Sequence, residues 1–255
     1  MRISCFYLFM SLALVFLFSC ERRAGRKVKE SDEAQAAAAP LPAVTIDSTA
    51  NGLVFYYPKT DSIDLRCLKR PEPAQEPGII FCCAGAYTGT GSKSHSNIAG
   101  DHVSGGIRYH GYRCPRNTGA FVYYKRKWKF LYKDYTTELD SAAANNGCGY
   151  AQEMLIHDSI RLKTARPDNN VNQFRALCEL NGELCIAEAT SAKPFGDFKQ
   201  SLLRAGVKEA LYTDMGAGWN YSWYREYPDS KAVFIHQAYQ ESATNWLVFY
   251  SGHGD

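Results

Sequence analysis

Short apolar or alternating runs, separated by Gly, Pro and Asn, make up most of the chain from Thr45 onward. Such runs are typical of β-strands, which alternate where one face is solvated and are continuously apolar where both faces are buried. The predicted strands are Leu53–Tyr57, Ile63–Cys67, Ile79–Ala84, Gly119–Tyr124, Trp128–Tyr132, Gln152–His157, Phe174–Leu180, Glu183–Thr190, Ala210–Thr213, Ala232–Ala238 and Trp246–Tyr250.

One stretch has a helical period. Residues 194–205 place Phe198 and Leu202 on one face, with Asp197 in the first turn, and Gly206 follows in a position that ends helices. With the strands, this predicts an α+β fold: a single sheet-rich domain with mixed or antiparallel β-sheet and a few packed helices.

The turn Asn181-Gly182 between two alternating runs predicts a β-hairpin, because both central residues of such a turn take positive φ. Pairing about this turn sets residues whose numbers sum to 363 opposite each other. Arg175 then faces Glu188, and Cys178 faces Cys185 on the other side of the hairpin.

The start of the chain is typical of an exported lipoprotein. Arg2 precedes the uncharged run 5–19, and a small residue, Ser19, stands directly before Cys20. We predict a signal peptide over 1–19, a lipidated Cys20, a flexible tether over 20–44 and a folded domain over 45–255. An ordinary signal peptide or a short anchor is the alternative. Either implies export, and the lipid would attach the protein to a membrane of the cell envelope.

Composition excludes some function classes. Of 255 residues, 29 are Lys or Arg and 26 are Asp or Glu, so the net charge of +3 does not favour a nucleic-acid partner. The basic triplet 125–127 lies among aromatics, and a solvated hairpin tip explains it better than a phosphate-binding strip.

No cofactor or metal is expected from the spacing of the polar residues. The Gly-rich segment 85–94 lacks the glycine–lysine spacing of a phosphate-binding loop. His95, His102 and His110 share one polar segment, so a metal there is the alternative to solvated loop histidines.

The segment 210–225 has the parts of a sugar site. Asp214 ends a short apolar strand and enters a glycine-containing turn, after which come Trp219, Asn220 and Trp223. Aromatic faces stack on sugar rings, while the aspartate and asparagine supply directed hydrogen bonds. The alternative is a turn-capping aspartate beside packed aromatics.

The order of these motifs resembles the phosphodiester glycosidase family over roughly residues 50–250. The similar segments are Phe81–Tyr87, Val103–Gly106, Met154–Ser159, Arg175–Cys178 and Ala210–Gly218. The sequence departs from the family pattern at Ala84, where the family has Asn, at Met215, where it has Gly, and at Trp219-Asn220.

The resemblance implies a hydrolase that cleaves a sugar from a sugar phosphodiester at the cell envelope. The matched positions would make Asp214 and Arg175 catalytic, with Glu188 orienting the arginine. Substrate contacts would come from Tyr87, His102, Trp219, Asn220 and Trp223. The partner would be a carbohydrate or sugar-phosphate substrate; the alternative is a non-catalytic glycan-binding lipoprotein on the same scaffold.

Overall fold

Antiparallel β-strands form most of the protein, whose structure is a computed structural model describing residues 40–48 and 51–252. In chain order they are β1 (Val44–Asp47), β2 (Leu53–Pro58), β3 (Ser62–Cys67), β4 (Ile79–Ala84), β5 (Asp101–Ser104), β6 (Ile107–His110), β7 (Gly119–Tyr124), β8 (Lys127–Tyr132), β9 (Cys148–Gln152), β10 (Met154–His157), β11 (Ile160–Arg161), β12 (Val171–Asn172), β13 (Arg175–Leu180), β14 (Glu183–Ala189), β15 (Lys193–Pro194), β16 (Glu209–Thr213), β17 (Ser222–Arg225), β18 (Ala232–His236) and β19 (Asn245–Tyr250). The predicted signal peptide and the lipidated Cys20 lie outside the described residues.

Two α-helices accompany the strands in the described part of the chain, α1 (Thr136–Ala144) and α2 (Phe195–Arg204), with one 3-10 turn at His95–Asn97. The α+β expectation, with a few packed helices, is therefore wrong: the fold is predominantly β. Of the two kinds of sheet expected, mixed or antiparallel, all pairs of these strands are antiparallel. The physical reason is that most connections are hairpins or polar loops without a helical apolar period. None of the described helices is both long and apolar enough to cross a bilayer.

The strands form three larger sheets and one two-stranded ladder. The first sheet has the order β1-β2-β14-β13-β16-β10-β11, the second β18-β17-β4-β19-β3, and the third β6-β5-β9-β7-β8. The ladder pairs β12 with β15.

The three sheets share a central core, to which each contributes one apolar face. Phe81 and Phe249 come from the second sheet, Leu177 from the first, and Phe121 from the third. Strand β4 is buried along its whole length because its other face, with Ile79, packs in a separate apolar cluster. This explains its unbroken apolar sequence.

The helices cover outer faces of two sheets. Helix α2 buries Phe198 and Leu202 against the first sheet, as its apolar stripe predicted, and Gly206 follows it with φ of 87°. Helix α1 packs Leu139 and Ala142 against the third sheet.

The predicted hairpin is confirmed in its register. Asn181 and Gly182 have φ of 54° and 79°, and β13 pairs with β14 so that Arg175 faces Glu188 and Cys178 faces Cys185. The predicted basic hairpin tip is also present, between β7 and β8.

Candidate active site

Asp214 lies directly after β16, at the end of a fully buried strand. Its backbone N–H donates to the Gly85 carbonyl at 2.9 Å, which fixes it beside the end of β4. The carboxylate accepts hydrogen bonds from the backbone N–H groups of Thr88 and Gly216, each at 3.1 Å. Asp214 is only 2% exposed, so its carboxyl is held in place by backbone donors and withdrawn from bulk water.

The environment of this carboxyl changes its acidity. Burial raises the pKa of Asp214 to about 6, although the N–H donors from Gly216 and Thr88 and the charges of Arg166 and Arg175 act in the opposite direction. A carboxyl with this pKa gains and loses its proton near neutral pH, where general acid–base groups work best.

Arg175 and Glu188 form a buried ion pair in the adjacent hairpin. Arg175 Nε and Nη2 donate to Glu188 Oε2 at 3.0 and 2.9 Å, and Nη2 also donates to Ser222 Oγ at 2.9 Å. Glu188 Oε1 lies 2.5 Å from His236 Nε2. Burial acts to raise the pKa of Glu188, but the Arg175 guanidinium and His236 hold it below the ordinary value, so the pair stays charged.

The ion pair and Asp214 are on neighbouring strands. Arg175 pairs with Thr213 across β13 and β16, one residue before Asp214. The Arg175 side chain is fully buried and also donates from Nη2 to the Asn220 carbonyl at 3.3 Å. The structure therefore brings the arginine, its glutamate and the strand-end aspartate together, with Asn220 bonded to the arginine.

Some of the buried polar atoms without a hydrogen-bond partner belong to residues around Asp214 and the ion pair. Within the described residues they include Thr213 Oγ1, Arg175 Nη1, Asn220 Oδ1, Trp219 Nε1 and Arg166 Nε. Each such atom costs free energy unless something binds it, because it has lost water without gaining a partner. Those near Asp214 are available to a polar ligand.

A basic cavity of about 450 Å³ adjoins this region through Arg166. The Arg166 guanidinium carbon lies 4.9 Å from the ring centroid of Tyr212, two residues before Asp214. Arg161, Lys163 and Lys199 also line the cavity, and Asp168 is the carboxylate among its lining residues. Four cations around one carboxylate favour an anionic group in this space.

The architecture has a known counterpart. The chain matches the catalytic domain of zebrafish N-acetylglucosamine-1-phosphodiester α-N-acetylglucosaminidase, auto-inhibited by its pro-peptide, with a TM-score of 0.55. The two share a fold. The match covers 85% of each chain at 12% sequence identity, so the backbone architecture is shared while most side chains differ. Comparisons with protein-family models and with curated proteins give no match.

Three of the predicted substrate-binding residues lie on segments beside Asp214. Tyr87 is exposed in the segment after β4, one residue before the Thr88 N–H donor. Trp219 and Asn220 are half-buried, and a side chain at Gly216 would lie within 4 Å of both Asp214 Oδ1 and Trp219.

The other two predicted contacts are inside the protein. Trp223 is fully buried in the cluster formed with Ile79 and Trp246, so it packs the outer face of the second sheet. His102 is also fully buried, and its ring stacks with those of His95 and Tyr109. Neither presents surface to a sugar in the described structure.

Sequence reasoning did not single out Arg166 or Thr213. Arg166 lies in the polar segment 161–170, which has no periodic signal. For Thr213 the sequence predicts only that it ends a strand. Its proximity to Arg175 depends on the pairing of β13 with β16, which no local pattern encodes.

Proposed function

We propose that the protein is a glycosidase-type hydrolase that cleaves a sugar from a sugar phosphodiester. The observation that carries this proposal is the buried Asp214 carboxyl, with its pKa of about 6, at a strand end beside Arg175. It is supported by the phosphodiester glycosidase-like fold, since the zebrafish neighbour is named for action on an N-acetylglucosamine-1-phosphodiester.

The leaving group determines what the site must supply. A phosphate ester departs as a stable anion, so the reaction needs little protonation of the leaving oxygen. It needs stabilisation of negative charge and an activated attacking group. Arg166 and the basic cavity suit the first need, because the cavity has four cations and one carboxylate.

Asp214 suits the second need. Above pH 6 it is mostly ionised, and it then either takes a proton from an attacking water or attacks the anomeric carbon itself. In the first case the product has inverted anomeric configuration, and in the second retained configuration. The unpartnered Asn220 Oδ1 and Thr213 Oγ1 are the atoms we assign to sugar hydroxyls.

Turnover of a panel of nitrophenyl-labelled sugar phosphodiesters tests the proposal. Wild type should release the labelled phosphate with at least one member, and Asp214→Asn should lose at least about 100-fold of the rate, the typical contribution of an acid–base group. Asp229→Asn, at an exposed position, should keep full activity.

Two results would contradict the proposal. Full activity of Asp214→Asn would remove this residue from the mechanism. Glycan-array binding by the wild type, without turnover of any phosphodiester, would select the glycan-binding alternative, which the departures at Ala84 and Met215 favour.

We further propose that the protein acts at the cell envelope, anchored through lipid on Cys20. The support is the sequence alone: a basic residue, an apolar run and a small residue before the cysteine. Wild type expressed in a native host should fractionate with membranes, and Cys20→Ala should not, because the hydrophilic segment that follows provides no apolar anchor. Equal recovery of both in the soluble fraction would refute the anchor.

A further inference from the structure

Cys67, His95 and His102 form a cluster, and its member His95 lies on the same loop as Thr88, which donates a hydrogen bond to Asp214. Cys67 ends β3, His95 begins the 3-10 turn and His102 lies in β5. One potential ligand atom from each residue lies within 4.8 Å of the other two. The two nearest, His95 Nδ1 and His102 Nε2, are 2.9 Å apart.

The His102 ring is oriented as a metal ligand would be. Its Nδ1 lies 3.2 Å from the Gly100 carbonyl oxygen, which accepts only a hydrogen bond, so Nδ1 carries the proton and Nε2 keeps its lone pair. Imidazole ligands typically donate their second N–H to a backbone carbonyl or carboxylate.

His95 is held equally firmly. Its ring stacks on Tyr109 with centroids 3.5 Å apart and planes 4° from parallel. In the metal-free protein its Nδ1–H donates to His102 Nε2, because the latter has no proton. Two nitrogens bound to one zinc ion at 2.0–2.1 Å and tetrahedral angles are about 3.3 Å apart. Zinc binding therefore requires the two nitrogens to separate slightly and the rings to rotate until both lone pairs point at the ion.

We propose that Cys67, His95 and His102 bind a zinc ion, with the fourth position open to water. One sulfur and two imidazole nitrogens form a donor set that zinc prefers, and three protein ligands with one open position are typical of zinc sites that exchange a ligand. Binding deprotonates the Cys67 thiol and moves the His95 proton from Nδ1 to Nε2. One proton is thus released for each zinc bound.

Neighbouring groups do not offer an equal site. His110 lies 3.0 Å from Asp101, which also binds Arg108, so it is engaged away from the cluster. A second group with metal-binding residue types contains His157, Asp158 and Glu209. Asp158 is exposed, and both oxygens of the Glu209 carboxylate already accept hydrogen bonds, from His157 and from the Asp158 backbone N–H.

A zinc ion bound to this cluster would also affect the candidate active site. His95 and Thr88 lie on the one segment that links β4 to β5, and Thr88 bridges to Ile98 across that segment. Thr88 donates its N–H to Asp214. A zinc ion at His95 therefore restrains the segment that positions the carboxyl.

The test uses the full-length protein, reduced and stripped of metal by a chelator. Wild type should bind one Zn²⁺ per chain in calorimetric titration, and Co²⁺ should give a thiolate-to-metal charge-transfer band in the near ultraviolet. Cys67→Ser should abolish that band, and His95→Gln should weaken Zn²⁺ binding at least about tenfold. His95 and Cys67 are half-buried, so these variants should fold, which thermal unfolding verifies.

Matched controls are Cys114→Ser, at another half-buried cysteine, and His110→Gln, at an exposed histidine of the same segment. Both should bind metal as the wild type does. The proposal is overturned if reduced wild type binds neither ion, or if Cys67→Ser and His95→Gln bind Zn²⁺ with wild-type affinity.

Discussion

Asp214 combines a chemical use with an energetic cost. Its carboxyl has lost bulk water and gained two backbone donors, and burial prevails, since the pKa rises to about 6 from an ordinary value of 3.8. A raised carboxyl pKa means that the folded state binds the proton more tightly than the unfolded state does. The ionised carboxyl therefore destabilises the fold, as often happens where function requires a withdrawn polar group.

The raised pKa of Asp214 makes the stability of the fold depend on pH. Between pH 4 and 6 the folded protein retains a proton on Asp214 that the unfolded chain releases, so this residue lowers stability as the pH rises, and its full cost is present above pH 6. Asp214→Asn removes the titration. Its free energy of unfolding relative to wild type should increase by about 2 kcal/mol between pH 4 and 7.

Urea unfolding of both proteins at pH 4, 5.5 and 7 measures that difference, with Asp229→Asn as an exposed control that should show no such trend. If Asp214→Asn and wild type keep a constant difference in stability across this range, the carboxyl has an ordinary pKa. The same data show that loss of turnover in Asp214→Asn does not result from unfolding.

Individual residues were predictable where a local rule applied. The facing of Arg175 and Glu188 followed from counting away from the Asn181-Gly182 turn, because hairpin register is set by its turn. The burial of Trp223 was not predictable in this way. Which face of a short strand is buried depends on the sheets on either side of it, and these come from distant parts of the chain.

At the scale of elements, an α-helix was predictable where its apolar residues followed a strong helical period. The amphipathic helix α2 was predicted over 194–205 and is found one residue shorter at each end. Helix α1 was not predicted, because only Leu139 and Ala142 of its nine residues are buried and no side chain caps its start. Its helical period is therefore weak, and packing against the third sheet stabilises it.

The hairpin of β5 and β6 was missed for a different reason. Its segment is polar and contains three histidines, which favoured the prediction of a loop. A usable signal was present in Gly105-Gly106, since both glycines have positive φ and form a two-residue turn. That hairpin positions His102 beside His95. The sequence left a metal among His95, His102 and His110 as an alternative, but the approach of Cys67 from β3 depends on tertiary structure.

At the scale of the whole molecule, the apolar pattern of the sequence does not predict which strands share a sheet. The first sheet joins β2 to β14, which are more than a hundred residues apart along the chain, and apolar periodicity identifies strands without identifying partners. The buried pair of Arg175 and Glu188 contributes to this assembly, since it bonds Ser222 and His236 of the second sheet.

This placement predicts a large effect of removing one charge. Arg175→Met leaves Glu188 buried without its main partner, and should lower the free energy of unfolding by about 3–5 kcal/mol. The double variant Arg175→Met with Glu188→Gln should lose less than the sum of the single variants, because it leaves no buried unpaired carboxylate. Urea unfolding of the four proteins measures the cycle.

The exposed ion pair of Lys59 and Glu183, at 3.0 Å, provides the control for that cycle. Lys59→Met should cost under about 1 kcal/mol, because solvent screens the pair. Additive losses in the Arg175 and Glu188 cycle, or a loss no larger than that of Lys59→Met, would show that the buried pair does not join the sheets.

The buried thiols are accessible to oxidants before the chain folds and inaccessible afterwards. Burial raises the pKa above its usual range in Cys82, Cys83, Cys148, Cys178 and Cys185, all of them free. Thiol exchange proceeds through the thiolate, and both its concentration and its access to reagents are small in the finished fold. Folding therefore protects these thiols from oxidation. In an oxidising compartment, the yield of active protein depends on whether the strands bury the thiols before they react with a disulfide of another molecule.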